Sequence, residues 1–354
     1  MKNEIKAIMT EAIKSRASDI HFRNGFPPTL RINGSLVPIK GKKMSLQDSS
    51  PEIKRLLSTK QFEEFQKSGS IDFALPYDEH NRFRGNLYRQ ANGVSLNLRL
   101  IRDDMLSLED LGAPEILKTI ADTYRQGFFL IVGPTGHGKT TSMAATINYM
   151  NQTSERHIIT IEDPIEYMFQ SDKCMIDQRE VGVHASSFSG ALRSAMRQDP
   201  DVIVVGEMRD YETMQTAITL AETGHLVLST MHTNNSIQTI DRIIDSFPEQ
   251  KQKQVRLQLA SVLTGVLSQR LIPKASGDGM ILAHELLIIN DAVRNIIRNE
   301  ESEQIYNALQ GNEKDGMMRL EKSLANLVKS KDITQEQALS YALNREVFES
   351  FLKH

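Results

Sequence analysis

The stretch Gly133-Pro134-Thr135-Gly136-His137-Gly138-Lys139-Thr140 has the form G-x-x-x-x-G-K-[ST], which is typical of a phosphate-binding loop. The apolar run Phe128–Val132 precedes it and predicts a buried strand, and the stretch from Thr141 to Met150 predicts a helix. A loop between a strand end and a helix start presents free backbone N–H groups and the positive end of the helix dipole to an anion.

The individual positions of this loop predict how a nucleotide is held. Lys139 is expected to reach the β- and γ-phosphates, the Thr140 hydroxyl to hold Mg²⁺, and Thr141 to line the same site. Position 137 carries His, and because the loop acts there through its backbone, we expect binding to survive this residue. The sequence therefore predicts a site for ATP or GTP; the alternative is a glycine turn with an incidental lysine.

Length and composition indicate a globular chain of two domains. The chain has 354 residues, of which 40% are hydrophobic and 25% charged. Its net charge of −3 argues against a dedicated nucleic-acid binder. Cys174, the only cysteine, excludes an internal disulfide and a four-cysteine zinc site, so no zinc is expected and a reducing cytoplasm is favoured. No apolar run approaches the ~18 residues of a membrane span, so membrane association is expected only through a partner.

Changes of pattern along the chain predict the domain boundaries. Residues 1–105 predict a small α+β domain with a helix near 2–16, and residues 106–112, within the candidate segment Asp103–Gly112, predict a linker. Residues 113–354 predict a doubly wound α/β domain, because short apolar runs alternate there with helical stretches. Its strands are expected at Phe128–Val132, Ile158–Ile161, Val202–Val205 and Leu226–Leu228. The chain from about residue 247 is expected to be mostly helical, including Gln254–Leu271 and Met317–Phe351.

A β-hairpin with a charged face is expected in the first domain. Two runs flank Asn92-Gly93, a strong turn signal, and a two-residue loop there places Asn86 opposite Arg99 and Tyr88 opposite Asn97. Alternation then brings Arg82, Arg84 and Arg99 onto one face and leucines onto the other. Like charges on one face repel unless an anion lies between them, so the face is either an anion site or a solvated surface.

Acidic side chains follow two of the predicted strands. Glu207 comes just past Val202–Val205, with Gly206 in the place where an Asp more commonly closes such a strand. We expect Glu207 to orient the attacking water, while metal ligation from this strand stays open.

A second acidic cluster, Glu162, Asp163 and Glu166, follows Ile158–Ile161, where Pro164 is expected to end the strand. These carboxylates are candidates for catalysis (Glu162) and for the magnesium shell (Asp163), with Glu166 beside them; the alternative is a helix N-cap with a solvated neighbour.

Two histidines flank the predicted strand Leu226–Leu228. His232 lies beyond its carboxyl end, where an imidazole can donate a hydrogen bond to a γ-phosphate. His225 precedes the strand, and its position favours a structural hydrogen bond.

Four segments, in this order, resemble the Walker A, aspartate, Walker B and histidine boxes of the secretion ATPases: GPTGHGKTT (133–141), TIEDPIEY (160–167), DPDVIVVGEMRD (199–210) and TGHLVLSTMHTNN (223–235). The segments Ala17–His21 and Pro27–Gly34 look like the start of the PAS-like N-terminal domain of that family, and Arg82-Phe83-Arg84 fits its arginine strand. The resemblance implies a RecA-like P-loop ATPase core with a parallel sheet, preceded by a PAS-like α+β domain and followed by a helical C-terminal region.

The segment AVRNIIRNE (292–300) is similar to the AIRNLIRE signature of the type IV pilus retraction ATPases, the PilT family. A helix here places Val293, Ile296 and Ile297 on one face, and Arg294 and Arg298, with Asn295 beside them, on another. The alternative is a packed helix with a solvated basic edge. Pilus-assembly and type II secretion ATPases generally carry a long extra N-terminal domain and a four-cysteine zinc insertion, so this sequence favours the retraction branch.

The resemblance also implies partners. It implies a homohexamer in which the N-terminal domain of one subunit closes over the nucleotide of the next, so that Arg82, Arg84 or Arg99 contacts the γ-phosphate in trans. Arg197 and Arg209, which flank the Walker B strand, are alternative sources of that charge. An inner-membrane platform protein and a paralogous retraction ATPase are the implied partners, with a cytoplasmic location at the inner membrane and no nucleic acid.

The expected function is thus a hexameric motor that hydrolyses ATP to retract a type IV pilus and so drive twitching motility. Alternatives within the family are an accessory retraction ATPase and a pilus-assembly or type II secretion ATPase. Outside it, a ring helicase or recombinase would need a basic DNA channel, and a nucleotide-gated regulator would bind without turnover.

Overall fold

A computed structural model describes residues 2–32, 35–41, 43–44, 46, 51–78, 81–101 and 105–353. The chain divides into two compact units, Met1–Asp104 and Met105–His354. Four residues of the predicted segments, Asn33, Gly34, Asp103 and Asp104, lie outside the described residues.

The first unit is an antiparallel sheet with helices against one face. Its elements are α1 (Lys2–Lys14), β1 (Asp19–Arg23), β2 (Thr29–Ile32), β3 (Ser35–Pro38), α2 (Pro51–Leu56), α3 (Thr59–Ser68), β4 (Ser70–Pro76), β5 (Arg82–Gln90) and β6 (Gly93–Ile101). The strand order is β3-β2-β1-β6-β5-β4. Alternate residues of the strands, such as Phe83, Leu87 and Leu98, pack with Ile5 of α1 and Phe65 of α3 in one core. The opposite face is therefore free to carry charge.

The hairpin of β5 and β6 forms as predicted, but its predicted register is wrong. Gln90 pairs with Gly93, so the loop is Ala91-Asn92, and Asn86 pairs with Asn97 rather than with Arg99. Gly93 follows this loop with a φ of 110°, and Asn24 Nδ2 donates to the Asn92 carbonyl at 2.9 Å, so both residues support the observed loop. The two registers differ by an even number of residues, so the charged and apolar faces stay as predicted. Arg84 and Arg99 now lie directly opposite each other.

The second unit contains the remaining elements. They are α4 (Ile116–Thr123), β7 (Gly127–Val132), α5 (Lys139–Thr153), β8 (His157–Glu162), β9 (Met175–Glu180), α6 (Phe188–Ala195), β10 (Val202–Val205), α7 (Tyr211–Glu222), β11 (Leu226–Met231), α8 (Ser236–Asp245), α9 (Glu249–Val262), β12 (Leu263–Pro273), β13 (Met280–Ile288), α10 (Asp291–Arg298), α11 (Ile305–Gly311), α12 (Leu320–Lys329), α13 (Gln335–Tyr341) and α14 (Arg345–Lys353). The sheet order is β13-β12-β7-β11-β10-β8-β9, and β13 alone among these strands runs antiparallel.

Both faces of this sheet are buried, which confirms the predicted α/β class. Phe128, Leu130 and Val132 of β7 face one core, whereas Phe129 and Ile131 face the other. A strand that is covered on both sides is apolar at every position, which is why these strands read as continuous hydrophobic runs. Since β7, β11, β10 and β8 are parallel, their carboxyl ends meet at one edge.

The predicted helix over Gln254–Leu271 is wrong. Helix α9 ends at Val262, and the chain continues directly as β12, which pairs with β7 on one side and with β13 on the other. Tertiary pairing overrides local propensity here, because β12 satisfies its backbone on both edges. The helices α12 and α14 then pack against Ile272 of β12 and Ala283 of β13. Among the described helices, none has the length and apolar character needed to cross a bilayer.

Replacing Gly265 with Ala distinguishes a strand from a helix in this segment, because the two structures predict opposite changes in the free energy of unfolding. A Cβ at Gly265 would lie 2.8 Å from Cε2 of Phe129 and 3.0 Å from the Leu287 carbonyl oxygen. We expect Gly265→Ala to lower the free energy of unfolding by about 1–3 kcal/mol through overpacking. A helix would instead gain up to ~1 kcal/mol from the same change. The midpoint of urea unfolding measures the difference. Gly311→Ala, where no heavy atom lies within 4 Å, is the matched control, and a more stable Gly265→Ala would contradict the strand.

Candidate nucleotide-binding site

The phosphate loop, residues 133–138, connects the carboxyl end of β7 to the first turn of α5. Gly133 has a φ of 149°, and a Cβ there would lie 2.6 Å from the Gln269 carbonyl oxygen of β12. Gly138 has a φ of 77° and begins α5. The loop therefore requires glycine at both positions, as the motif predicts, and its close fit against β12 gives it one defined path.

Lys139 is the buried cation of the loop. Its side chain is 6% exposed, and Nζ donates to the carbonyl oxygens of Gly133 and Pro134, each at 2.9 Å. Burial lowers the pKa of Lys139, and the carboxylates of Glu207 and Glu166 oppose that effect. A buried ammonium held by two uncharged carbonyl oxygens is well matched to an anion at the loop.

His137 has a role that the sequence did not reveal. The backbone N–H of Leu271 donates to His137 Nδ1 at 2.9 Å, and the ring meets Tyr341 edge-on at 6.2 Å between centroids. Burial lowers the pKa of His137, and the positive charges of Arg270 and Lys139 lower it further. A neutral ring is required, since a protonated Nδ1 cannot accept a hydrogen bond. The side chain thus ties the phosphate loop to β12.

His232 connects the loop to the acidic group predicted to orient water. Its Nδ1 lies 3.3 Å from Thr135 Oγ1 and 3.4 Å from Lys139 Nζ, and its Nε2 lies 3.4 Å from Glu207 Oε2. Nε2–H donating to Glu207 and Nδ1 accepting from the loop satisfies all three contacts. Glu207 also forms an ion pair with Arg209. The carboxyl ends of β7, β10 and β11 therefore converge on one point.

Gly206, in the place of the more common Asp, has a structural reason. A Cβ there would lie 3.2 Å from the Ile161 carbonyl oxygen and 3.3 Å from Cα of Glu162. The Gly206 N–H donates to that carbonyl at 2.8 Å, and Thr230 Oγ1 donates to the Gly206 carbonyl at 2.6 Å. This close packing places Glu207 just beyond the strand.

Of the three carboxylates predicted near the end of β8, one accepts hydrogen bonds from neighbouring side chains and two are exposed. Glu162 accepts hydrogen bonds from Thr160 Oγ1 at 2.6 Å and from Gln178 Nε2 at 3.2 Å. Burial raises the pKa of Glu162, and these hydrogen bonds oppose the effect. Asp163 and Glu166 are exposed. The exposed pair is thus better placed than Glu162 to meet a hydrated metal ion, and Thr140 on the first turn of α5 offers its hydroxyl.

Three further residues predicted at the site are Thr141, His225 and Arg197. Of these, His225 and Arg197 lie at the opposite edge of the sheet. Thr141 Oγ1 lies 3.1 Å from the Tyr167 hydroxyl. His225 lies at the amino end of β11, where its Nδ1 is 3.0 Å from the Leu220 carbonyl oxygen, and it lines a polar cavity of about 780 Å³. Arg197 follows α6 and is exposed at that same edge. The structure does not bring His225 or Arg197 to the phosphate loop of its own chain.

The arginines of the first unit have carboxylate neighbours on their own sheet. Arg99 Nε donates to Asp19 Oδ1 at 3.0 Å, with the Arg99 side chain 65% exposed and that of Asp19 7% exposed. Arg84 lies 4.0 Å from Asp72, and Arg82 is half-buried at the start of β5. Carboxylates thus lie among the like charges within this unit.

Helix α10 confirms the apolar face predicted for the signature segment. Val293 and Ile297 are buried, and Ile296 packs beside them. The expected second face is divided, however. Arg294 Nη1 donates to the carbonyl oxygens of Ala260 and Ser261 at the end of α9, each at 2.7 Å, whereas Asn295 and Arg298 are exposed. Arg294 therefore caps a neighbouring helix.

Strand β12 contributes side chains to the site that no sequence pattern predicts. Gln269 Nε2 donates to Ser142 Oγ of α5 at 2.8 Å, and Ser268 Oγ donates to the Asn234 carbonyl at 3.0 Å. No alternation marks this segment as a strand, because β12 is buried at almost every position, and no glycine or proline stands between it and α9.

Comparisons with known proteins agree on one family. The family model described as type II/IV secretion system protein matches residues 1–339. The chain is 41% identical to the type IV pilus retraction ATPase PilT of Pseudomonas aeruginosa, over 98% of this chain and 100% of the relative. It is 43% identical to a twitching motility protein of Neisseria gonorrhoeae, over 90% of this chain and 85% of the relative. A crystal structure of the pilus retraction motor PilT with bound ADP matches with a TM-score of 0.90 and 42% identity, over 98% of this chain and 99% of that chain.

The two arginines of α10 are expected to differ in their effect on stability. Arg294→Ala removes two charge-assisted hydrogen bonds at a helix C-terminus and should lower the free energy of unfolding by about 1–2 kcal/mol. Arg298→Ala, at an exposed position, should stay within about 0.5 kcal/mol of the parent. Urea unfolding of the full chain measures both variants. Equal stabilities would mean that Arg294 does not cap α9.

Proposed function

The chain belongs to the type II/IV secretion system protein family, and we propose that it is a motor ATPase that hydrolyses ATP to drive type IV pilus retraction. The observation that carries this proposal is the convergence of the phosphate loop, Glu207 and His232 at one edge of the sheet. Binding alone needs only the loop. Turnover also requires groups that orient the attacking water and stabilise the developing charge, and the Glu207 carboxylate and the His232 imidazole can supply them.

Nucleotide binding is assigned to the loop and the start of α5. The phosphates would accept hydrogen bonds from the N–H groups of residues 135–140, and Lys139 would donate to the terminal phosphates in place of the Gly133 and Pro134 carbonyls. Mg²⁺ would be held by the Thr140 hydroxyl, the phosphate oxygens and water, and Asp163, exposed at the end of β8, would contribute to its outer shell. When bound, Mg²⁺ neutralises part of the phosphate charge.

Glu207 is assigned to the attacking water and His232 to the γ-phosphate. Glu207 is 14% exposed at its side chain and faces His232 Nε2, so a water that replaces this contact would lie between the carboxylate and the phosphate. His232 can donate to the γ-phosphate from the nitrogen that is then released. Arg209, which is 67% exposed, also pairs with Glu207 and so shares this carboxylate with His232. Glu162 lies at the same edge of the sheet, where Thr160 and Gln178 hold its carboxylate by hydrogen bonds.

A hexameric ring completes the site. One subunit's N-terminal unit would bring the arginine face of β5 and β6 to the nucleotide of the next subunit, and Arg84 or Arg99 would contact the γ-phosphate in trans. Arg82 lies beside them on β5, and Arg209 is the alternative on the ATPase unit itself. Loss of the γ-phosphate would release the contact, which lets one unit move against another.

The exposed residues of α10 are candidates for passing this motion on. Asn295 and Arg298 do not contribute to the core, and the fit of this helix to the retraction signature favours an inner-membrane platform protein as their partner. Such a partner would hold the protein at the cytoplasmic side of the inner membrane, within the pilus machinery. Whether it is the main or the accessory retraction motor is decided by deleting it in the presence of a paralogue. A nucleotide-gated regulator would need neither Glu207 nor His232.

Glu207→Gln tests the function through turnover and motility together. The amide keeps the shape of the side chain but cannot accept a proton or orient water in the same way, so MgATP affinity should stay within about 3-fold while turnover falls by about 10²-fold or more. Cells with this variant should display pili but lose twitching. Glu222→Gln, an exposed carboxylate at the end of α7, is the control. Retained turnover would transfer the role to Glu162, Asp163 or Glu166, and twitching without turnover would exclude the motor function.

Mixed rings test the arginines in trans. Arg84→Ala or Arg99→Ala should lose hydrolysis, yet recover part of it when mixed with Lys139→Ala subunits, because an intact site then borrows its neighbour's arginine. Arg23→Ala, on β1 of the same sheet, should need no rescue. The ATPase rate is measured against the mixing ratio, with mixed rings verified by native mass. No recovery at any ratio argues against a finger from the N-terminal unit and favours Arg209.

A further inference from the structure

The loop that carries His232 is fastened at its far end to β12. Residues 232–235 connect β11 to α8, and the Asn234 carbonyl oxygen accepts from Ser268 Oγ at 3.0 Å and from Arg270 Nη2 at 2.8 Å. Since β7 lies between β11 and β12 in the sheet, the loop crosses the end of the phosphate-loop strand to reach these donors. The position of His232 over the phosphate loop therefore depends on a contact made two residues later.

Arg270 is built as a rigid donor. The residue is 5% exposed, and its Nη1 donates to its neighbour's carbonyl, that of Gln269, at 2.8 Å, which fixes the plane of the guanidinium. Burial lowers the pKa of Arg270, and the Glu285 carboxylate opposes that effect. A buried guanidinium whose two arms bind two carbonyls has little freedom to move.

The same stretch of β12 also holds the phosphate loop. The Gln269 carbonyl packs against Gly133, and the Leu271 N–H donates to His137 Nδ1. The His232 loop is fixed a second time at Ser236, whose N–H and Oγ donate to Glu285 Oε1 of β13 at 2.8 Å and 2.7 Å. One strand pair thus sets the spacing between the phosphate loop and the His232 loop.

We propose that Arg270 is a positioning residue that holds His232 at the γ-phosphate position through the Asn234 carbonyl. This inference rests on the proposed function, in which His232 contacts the γ-phosphate. It assigns a role in turnover to a buried side chain that donates to the backbone carbonyls of Gln269 and Asn234. A guanidinium that only filled the core would affect stability without acting through His232.

A double-mutant cycle between Arg270 and His232 separates these two roles. Arg270→Gln should lower turnover by about 10–100-fold, because a small displacement of a group at the reacting phosphate is costly. In the His232→Ala chain, Arg270→Gln should change turnover by less than about 3-fold, since the group it positions is gone. Arg270→Lys should recover part of the rate, because one ammonium donor can still reach the Asn234 carbonyl.

Arg156→Gln is the matched control. Arg156 is also 5% exposed and donates through Nη1 to a carbonyl, that of Tyr124 at 3.0 Å, but it lies at the opposite edge of the sheet, just before β8. Its effect on turnover should be the same with and without His232. Thermal unfolding of all variants gives the purely structural contribution of each arginine.

The parent chain, Arg270→Gln, His232→Ala and the double variant are each titrated with ADP and with a non-hydrolysable ATP analogue. Arg270→Gln should reduce the preference for the analogue as much as His232→Ala does, and the double variant should show no further loss. An Arg270→Gln effect of equal size in both backgrounds would overturn the proposal. A parent chain without turnover would refute the proposed function, and the affinity ratio would still decide whether Arg270 acts through His232.

Discussion

The contact between Gly133 and the carbonyl oxygen of Gln269 is the constraint on which the site depends. With only 2.6 Å available at the position of a Cβ, the phosphate loop must pass β12 as bare backbone. That approach places Ser268, Arg270 and Leu271 within reach of two loops that come from different strands. A phosphate loop is usually described by its own residues. Here its path is equally a property of the strand beside it, which follows it by more than a hundred residues in the chain.

The sequence predicted the parts of the molecule that are set by local chemistry. The motif at 133–140, the apolar runs of β7, β8, β10 and β11, and the carboxylates at their ends follow from periodicity and from residue types that have one common use. The nucleotide-site prediction rests on such signals. The α10 signature was predicted as a helix for the same reason, since Val293, Ile296 and Ile297 recur at helical spacing.

The parts that could not be predicted depend on partners distant in sequence. Strand β12 continues α9 without a glycine or proline, and only its pairing with β7 and β13 makes it a strand. The hairpin loop accepts a hydrogen bond from Asn24, a contact that no pattern within residues 82–101 reveals. The sequence predicts Arg294 as half of an exposed basic pair. Its acceptors lie at the end of α9, and no pattern within α10 indicates that contact. Each error concerns a contact between segments rather than a propensity within one.

The two candidate arginines of the N-terminal sheet, Arg99 and Arg84, differ in the free energy needed to separate each from its carboxylate partner. Asp19 is 5% exposed and accepts from Arg99 Nε at 3.0 Å, so release of Arg99 takes a charged partner from a buried carboxylate. Uncovering a buried charge costs several times more than breaking an exposed pair. Arg84 lies 4.0 Å from Asp72, and both side chains are well exposed, so its release costs little. If the sheet supplies a finger to a neighbouring site, Arg84 is therefore the arginine free to move, and Arg99, fixed by Asp19 directly opposite it, is suited to orient the pair.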